Sequence, residues 1–200
     1  LWRQHDIFMA AMGGRLQDGS GFVESTDQVL AMAVNGGMKV LAAPPFMHGA
    51  GHWLAFITLH GGGTLFIQNV VDRLDAHDLL ATIEREKVNL IVIVGDAFGR
   101  PLLDAIREGN YDLSSLFVVA NGGAPLSVTV KEALLEQLPH ALVMDGIGSS
   151  ETGQQGMHTS SRESGASTGK FTPVDDTCVV DENLQTRLTP GSPEVGWFAK

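Results

Sequence analysis

The stretch DGIGSSETG, residues 145–153, brings together side chains and glycines that could bind a nucleotide. It follows the apolar run ALVM, and glycines after a strand let a backbone come close to a ligand. The hydroxyl of Ser150 could donate to a phosphate, and Glu151 could hold Mg²⁺ directly or through water. Gly146 and Gly148 would let a flat purine lie against the backbone. The residue types therefore indicate a nucleotide–metal site.

Two other interpretations compete for the same stretch. An inert capping turn explains the Ser, Thr and Glu side chains equally well, because these residues also satisfy backbone N–H groups in solvent. A dinucleotide-binding fingerprint is disfavoured, because the glycines are spaced too widely and the following QQGMHTSSRESG would make a poor helix. We also expect no serine-hydrolase nucleophile elbow. Residue types alone leave the capping turn and the nucleotide–metal site open.

The histidines give little support to a zinc site. His48 and His52 are four residues apart, as helical zinc ligands are, but Gly49 and Gly51 lie beside them and no glutamate follows His48. The other histidines show no recognisable pairing. We expect His48 to line a pocket, and an ordinary turn or core histidine is the alternative.

Composition and charge narrow the class of protein. The chain has 200 residues and a formal net charge of −10, so its surface repels nucleic-acid phosphate and we expect no nucleic-acid partner. Its single cysteine, Cys178, excludes an internal disulfide and fits a reducing, cytoplasmic location. No apolar stretch reaches the length of a transmembrane helix. Self-association as a homo-oligomer stays open.

The apolar pattern predicts an α/β fold, a largely parallel sheet with helices on both faces. Buried strands are predicted in VNLIVIVG, LFVVANGG and HALVMDGIG, with amphipathic helices between them. Ligands of such sheets bind beyond the carboxyl ends of strands, where the Gly-rich residues 121–125 and 145–153 fall. A polar, glycine-broken segment after Gly153 predicts a long loop.

Other elements are predicted around this central alternation. Helices are expected over residues 2–12 and within STDQVLAMAVNGG, with an Asp or Thr cap. GAGHWLAFITL is apolar nearly all round, which predicts a buried helix or packed segment. GGGTLFIQ predicts a buried strand, and TCVVDENLQTRLTPGS predicts two strands around a turn at residues 181–183. We assign residues 1–165 to the α/β part and residues 166–200 to the start of a small β subdomain.

Three segments in order carry a resemblance to a known family. PPFMHGAG (residues 44–51), NGGAPL (residues 121–126) and DGIGSSETG resemble motifs of the adenylate-forming superfamily, the AMP-binding enzymes. The superfamily includes acyl-CoA synthetases, luciferases and peptide-synthetase adenylation domains. The chain looks most like bacterial fatty-acyl-CoA synthetases of the actinobacterial kind, some of which act on steroid side chains. The resemblance implies the central part of the large N-terminal domain.

The resemblance implies a nucleotide pocket between the two Gly-rich stretches. Gly122, Gly123 and Ala124 would wall the adenine and acyl pockets, and Asp145, with the neighbouring Gly146, would lie near the adenine edge. Ile147 stands where the family usually has an aromatic residue that stacks on adenine. An aliphatic side chain can still pack on the purine. Ile147 is nevertheless the residue that most favours an alternative interpretation, a degenerate binding module that keeps the fold but not catalysis.

The resemblance also implies roles in the chemistry. His48 would face the acyl carboxylate and the reacting phosphate, Ser150 would contact phosphate, and Glu151 would bind Mg²⁺. ATP would activate a carboxylic acid as an acyl-adenylate, which would pass to CoA. An acyl-AMP ligase that feeds a carrier protein shares the same motifs. Apolar residues near His48, including Trp53 and Phe56, favour a fatty, steroid-side-chain or aryl acid, unless they are simple core residues.

Several parts of the family lie outside the three motifs. The resemblance puts the phosphate loop before Leu1, and the ribose-binding aspartate, the hinge and the C-terminal domain with the adenylation lysine after Lys200. We therefore expect these 200 residues to complete no turnover alone.

Overall fold

A computed structural model describes residues 1–16, 21–174 and 177–199. Within these ranges the chain alternates helices and strands. The helices are α1 (Gln4–Ala11), α2 (Thr26–Val34), α3 (Gly49–His60), α4 (Ala76–Glu86), α5 (Gly95–Glu108) and α6 (Val128–Gln137). The strands are β1 (Lys39–Ala42), β2 (Thr64–Phe66), β3 (Leu90–Ile93), β4 (Val118–Gly122), β5 (Leu142–Ser149), β6 (Gly153–Ser160), β7 (Thr172–Pro173), β8 (Cys178–Asp181) and β9 (Gly196–Ala199).

The main sheet confirms the predicted α/β class. Its strand order is β2-β1-β3-β4-β5-β6-β7; the pairs among β1 to β5 are parallel, and β6 and β7 join antiparallel. The strands β3, β4 and β5 are those that the β-branched apolar runs predicted. They lie side by side at the centre of the sheet, so their carboxyl ends form one continuous edge.

Alternating side chains of the central strands point to opposite sides of the sheet. Leu41, Ile91, Val119 and Val143 join one buried core cluster with apolar residues of α4, α5 and α6. The intervening Val92 is also buried but lies outside that cluster, on the side where α3 contacts β1 and β3. Because strand residues alternate with period two, the sheet carries helices on both faces.

The helices of the α4–α6 layer begin at capped ends. Asp75 precedes α4, and its carboxylate accepts the backbone N–H of Asp78 at 3.1 Å; Ser127 precedes α6 and accepts that of Val130 at 3.4 Å. Such caps satisfy N–H groups that have no partner inside a helix. Behind its cap, α4 buries Leu79, a residue at helical spacing from Ile83, against the sheet.

Four local expectations are wrong in whole or in part. Strand β2, predicted to be buried, lies at the end of the strand order with Thr64 exposed and its other two residues half-buried, because it pairs with β1 on one side. The first half of the segment after Gly153 is strand β6, and the predicted loop is confined to residues 161–168, because backbone pairing with β5 needs no apolar pattern near the edge of the sheet. Helix α3 is only partly buried: Phe56, Ile57 and Leu59 are exposed. The cap of α2 is Ser25, which accepts the Gln28 N–H at 3.3 Å, instead of an Asp or Thr.

The predicted small β unit is present as a separate two-stranded sheet of β8 and β9. A turn follows β8 as expected, and in it the Leu184 N–H donates to Asp181 O at 3.0 Å. The second strand expected directly after the turn is reduced to a single bridge at Arg187, and β8 pairs with β9 instead. Strand β7 belongs to the main sheet, and the boundary at residue 165 stays a prediction. In the described ranges, the helices fall short of the length and apolarity that crossing a bilayer requires.

Asp96 joins the beginnings of α5 and α6. Its Oδ1 accepts the Ser127 backbone N–H at 2.7 Å, and its Oδ2 accepts Arg100 Nη2 at 2.7 Å. The Ser127 N–H, and after it the hydroxyl of Ser127 and the Arg100 guanidinium, hold the pKa of this carboxyl below its usual value, against the opposing effect of desolvation. A depressed pKa in the folded state means that ionisation of Asp96 stabilises the fold.

Replacing Asp96 by Asn should cost about 1 kcal/mol of unfolding free energy at pH 7, because charged acceptors bind N–H groups more strongly than amides do. The contribution is fully present above the unfolded pKa of about 3.9 and is lost as pH falls through the lower folded pKa. Urea unfolding at pH 7 and pH 3 measures it. The difference in unfolding free energy between wild type and variant should be smaller at pH 3 than at pH 7. A difference that is the same at both pH values, or that equals the difference for the exposed Asp104→Asn control on α5, contradicts this role.

Candidate nucleotide site

The two Gly-rich stretches meet at the carboxyl ends of β4 and β5. The parallel register pairs Asn121 with Asp145 and Gly122 with Gly146. Gly123 follows at φ 79°, in the left-handed region that favours glycine, and it is exposed. The chain therefore turns sharply away from β4 and leaves the backbone of both strand ends open to a ligand.

The second Gly-rich stretch is a β-hairpin whose tip is formed by residues 150–152. Ser149 shapes this tip: its Oγ accepts the Glu151 N–H at 3.2 Å and the Thr152 N–H at 3.3 Å, and it lies 3.0 Å from the Thr152 hydroxyl. The capping interpretation therefore describes Ser149 and Thr152, which are engaged within the turn.

Ser150 and Glu151 are exposed at the same tip. Ser150 is anchored through its backbone, where its carbonyl accepts the indole N–H of Trp2 at 2.6 Å. Within the described part of the chain, neither the Ser150 hydroxyl nor the Glu151 carboxylate has a hydrogen bond or ion pair. The hairpin thus presents one hydroxyl and one carboxylate to solvent on an ordered turn.

Gly148 lies at the irregular point of the hairpin. The β5–β6 register shifts between Ile147 and Gly148, and Gly148 then pairs with Gln154. A Cβ atom on Gly148 would overlap the carbonyl oxygen of Gly153 and would lie 3.0 Å from the Gln154 Cα. Only glycine fits there, so Gly148 fixes the close approach of the two hairpin strands.

The Asn121 side chain holds the first Gly-rich turn closed. Its Nδ2 donates to the Ala124 carbonyl at 3.0 Å and to Asp145 Oδ1 at 2.9 Å, and its Oδ1 accepts the Gly95 N–H at 2.7 Å. Gly95 itself has φ 56°, and a Cβ on it would lie 2.7 Å from Pro125 O. The turn between Asn121 and Pro125 is therefore packed tightly against the beginning of α5.

Asp145 is buried, and both of its carboxylate oxygens have partners in the protein. Oδ1 accepts Asn121 Nδ2, and Oδ2 forms an ion pair with Lys131 of α6, whose side chain is completely buried. The carboxylate is thereby turned toward α6, on the same side of the sheet as Val143. The Asp145 side chain is therefore engaged within the protein, and its strand is paired on both sides, with Asn121 and with His158.

Lys131 is a residue that the sequence reasoning missed. Its ammonium donates to Ser167 O at 2.5 Å and to Thr168 Oγ1 at 2.9 Å in addition to its ion pair. The sequence does contain a pattern that indicates its burial. The buried Leu134, Leu135 and Leu138 follow Lys131 at helical spacing, which places this lysine on the apolar face of α6. A buried lysine needs an acid partner, and Asp145 is the one available.

His48 lies apart from the two Gly-rich stretches. It precedes α3 without a side-chain cap, is exposed, and follows β1, which β3 separates from β4. Among the described residues its ring makes no hydrogen bond, and His52 packs instead against Phe56, with ring centroids 5.2 Å apart. No cluster of three or more His, Cys, Asp or Glu residues suited to a metal occurs in the described ranges.

The Ile147 side chain lines a small apolar cavity. Ile147, Phe171, Pro173 and Phe198 line a volume of about 280 Å³. Ile147 and Phe171 both lie over Gly156, since a Cβ there would lie 3.1 Å from each side chain. The cavity therefore joins the end of β5 to the segment that leads into β7.

One serine motif with the spacing of a nucleophile elbow was overlooked in the sequence. GASTG, residues 165–169, has the G-x-S-x-G spacing, and Ser167 Oγ lies 2.7 Å from His158 Nε2. A nucleophile elbow stands between a strand and a helix, whereas this segment leads into β7 and the Ser167 carbonyl is bound to Lys131. The motif therefore forms a structural turn instead of a hydrolase site.

Comparison with known proteins gives one consistent match. Residues 20–196 match the family described as AMP-binding enzyme. The whole chain is 48% identical to 36% of the medium-chain acyl-CoA ligase Mig of Mycobacterium avium. It is 36% identical, again over its whole length and 36% of the relative, to the medium/long-chain-fatty-acid–CoA/3-oxocholest-4-en-26-oate–CoA ligase of Mycobacterium tuberculosis. The chain thus spans about a third of the length of these relatives.

Solved structures share the fold. The amide bond synthetase McbA of Marinactinospora thermotolerans superposes with a TM-score of 0.63 at 24% identity, over 83% of this chain and 33% of that one. A long-chain-fatty-acid–CoA ligase of Archaeoglobus fulgidus gives 0.59 at 18% identity, over 82% of this chain and 35% of that one. At such identities these likenesses support the architecture alone.

Proposed function

Because this chain belongs to the family of AMP-binding enzymes, we propose that it supplies the nucleotide-binding centre of an AMP-forming acyl-CoA ligase. The observation that carries the proposal is the pairing of Gly122 with Gly146. Two residues without side chains thus lie next to each other at the ends of β4 and β5, beside the hairpin tip that bears Glu151. Adenine would lie between the turn of Gly122, Gly123 and Ala124 and the backbone of Asp145 and Gly146. We take the 200 residues to act only within a longer chain, since the relatives are about three times as long.

Glu151 fits a Mg²⁺ ligand. Its carboxylate is exposed and unpaired among the described residues, and Mg²⁺ characteristically binds one or two carboxylates together with substrate phosphates and water. A magnesium ion bound there would neutralise phosphate charge. The nearby Ser150 hydroxyl would donate to a phosphate oxygen. The absence of a larger acid cluster in the described ranges agrees with a metal that relies on the nucleotide for its other ligands.

The reaction needs charge neutralisation and no protein nucleophile. A carboxylate oxygen attacks the α-phosphorus of ATP, the bond to the β-phosphate breaks, and pyrophosphate leaves. The CoA sulfur then attacks the acyl carbon, and AMP leaves. His48 would help to hold the carboxylate against the phosphate, because two anions must approach each other. Its exposed position before α3 leaves it accessible for this role.

For the substrate we propose a fatty acid, with a steroid side-chain acid as a further candidate. The relatives are named as ligases of medium-chain, long-chain and 3-oxocholest-4-en-26-oate substrates. Phe46 and Phe56 near His48 are exposed apolar side chains instead of core residues, which suits an apolar acyl chain. A cytoplasmic location and self-association remain predictions from the sequence.

Acyl-CoA formation in the full-length protein tests the proposal. Purified protein is incubated with ATP, Mg²⁺, CoA and octanoate, palmitate or a cholestenoate, and thioester products are measured by mass spectrometry. The proposal predicts an acyl-CoA that depends on ATP, with medium-chain acid among the substrates used. Transfer to a carrier protein but not to CoA would support the acyl-AMP ligase instead, and no activation of any acid would support a degenerate module.

A further inference from the structure

Lys131 is the one completely buried charged side chain among the described residues, and the proposed reaction gives it no part. Its ammonium donates hydrogen bonds to Ser167 O and Thr168 Oγ1 and forms an ion pair with Asp145 Oδ2. The buried charge is therefore both paired and hydrogen-bonded. Such pairing makes a buried charge tolerable, but it is weak evidence for stability by itself. The position of the pair in the fold points to a different purpose.

The ion pair is continuous with the hydrogen bonds that shape the Gly122–Ala124 turn. Asp145 Oδ1 accepts one hydrogen of Asn121 Nδ2, and the other goes to Ala124 O, across the turn. Because an amide group is planar, fixing one N–H direction fixes the other. The charge of Asp145 strengthens the first bond and so orients the amide for the second.

Lys131 also attaches a distant segment to the same turn. Thr168, which accepts from Lys131, donates its hydroxyl to Leu126 O at 2.9 Å, directly after the turn. The segment of Ser167 and Thr168 leads to Phe171, which lines the cavity beside Ile147. One buried ammonium thus connects α6, β5 and the segment before β7 around the two strand ends.

We propose that the buried Asp145 carboxylate, paired with Lys131, is a positioning group for nucleotide binding. It orients the Asn121 amide, and the amide holds the Gly122–Ala124 turn in the geometry that accepts adenine. The inference rests on the proposed nucleotide role of that turn. It assigns Lys131 no contact with substrate. We therefore expect loss of the acceptor oxygen at residue 145 to weaken AMP binding even in a variant whose Tm has recovered.

Two double variants on one background separate positioning from stability. Lys131→Met/Asp145→Asn and Lys131→Met/Asp145→Leu both remove the two charges, but only the first keeps an oxygen at residue 145 that can accept from Asn121. Binding of AMP to the full-length protein is measured by calorimetry and unfolding by Tm. Lys131→Met alone should lower Tm by roughly 10 °C, because it leaves a buried carboxylate unpaired.

The positioning role predicts a split between the double variants. Both should recover Tm to within a few degrees of wild type, since no unpaired charge remains. Lys131→Met/Asp145→Asn should bind AMP with an affinity within about threefold of wild type. Lys131→Met/Asp145→Leu should bind AMP about tenfold more weakly than wild type, the factor expected when a hydrogen bond to a charged group is lost. Equal AMP affinities in the two double variants would overturn the inference.

The exposed pair of Lys87 and Asp112, 2.6 Å apart, provides the matched control. Lys87→Met/Asp112→Asn should change neither AMP affinity nor, beyond about 2 °C, Tm, because exposed pairs contribute little and Asn can still accept from Ser114. An equal loss of AMP affinity there would also overturn the positioning role. If the wild-type protein binds no AMP, the proposed function fails and this inference fails with it; wild-type binding with indistinguishable double variants overturns the inference alone.

Discussion

Replacing Glu151 by Gln in the full-length protein should lower the rate of acyl-adenylate formation about 100-fold or more, while Tm stays within about 1 °C of wild type. The carboxylate is exposed at a hairpin tip and has no hydrogen bond or ion pair within the described ranges, so its removal leaves the fold intact. Gln keeps the size but loses the charge that Mg²⁺ needs from a protein ligand. Single-turnover formation of acyl-AMP at saturating ATP measures the effect.

The matched control for Glu151 is Glu163→Gln. Glu163 is also an exposed glutamate on a turn, beyond the other end of β6. Its neutralisation should leave the rate within a factor of two, on the order expected for surface substitutions. Unchanged adenylation in Glu151→Gln at saturating Mg²⁺ removes Glu151 from the mechanism, and an equal fall in both variants points to net charge instead of a metal ligand.

Substituting Gly148 by Ala should abolish most activity through the fold of the hairpin. The new methyl group would overlap the carbonyl of Gly153, which is backbone and cannot rotate away, so β5 and β6 must separate. Unfolding free energy should fall by about 2 kcal/mol or more, a shift in Tm of roughly 5 °C. Displacing Glu151 by about 1 Å should cost about 100-fold in rate.

Gly146→Ala is the control in the same strand. A methyl group there would meet Asn121 O at 3.7 Å and Gln154 Nε2 at 3.9 Å, which are ordinary contacts. Its Tm should therefore stay within about 2 °C of wild type, whereas its affinity for nucleotide should fall because the methyl group occupies the proposed adenine face. If the Gly146 and Gly148 variants unfold at the same temperature, the argument from the hairpin geometry is wrong.

The central strands could be predicted from the sequence because burial on two faces requires continuous apolar runs. β3, β4 and β5 have such runs, and the glycines after β4 and β5 marked the edge where ligands bind. β6 could not be predicted in the same way. All its residues except Met157 are polar or glycine, and it forms because β5 offers an unpaired edge, a relation between segments that local composition does not contain.

The division of labour within residues 149–152 also required the structure. Four consecutive polar residues are equally suited to capping or to binding, and only the turn geometry shows that the Ser149 hydroxyl is used internally while Glu151 is free. The role of Asn121 was missed for a related reason. Its partners Gly95 and Asp145 are 26 and 24 residues away in sequence. Contacts at such distances follow from strand order, which no local pattern specifies.

Carboxylate-dependent exchange of labelled pyrophosphate into ATP tests the central proposal most directly. The full-length protein is incubated with ATP, Mg²⁺ and labelled pyrophosphate, with and without each fatty or steroid side-chain acid, and label in ATP is counted. Reversible adenylation predicts exchange that requires both the acid and Mg²⁺ and that is lost in Glu151→Gln. Absence of exchange with every acid, from a protein that is folded by its Tm, would contradict the assignment of this nucleotide site to acyl activation.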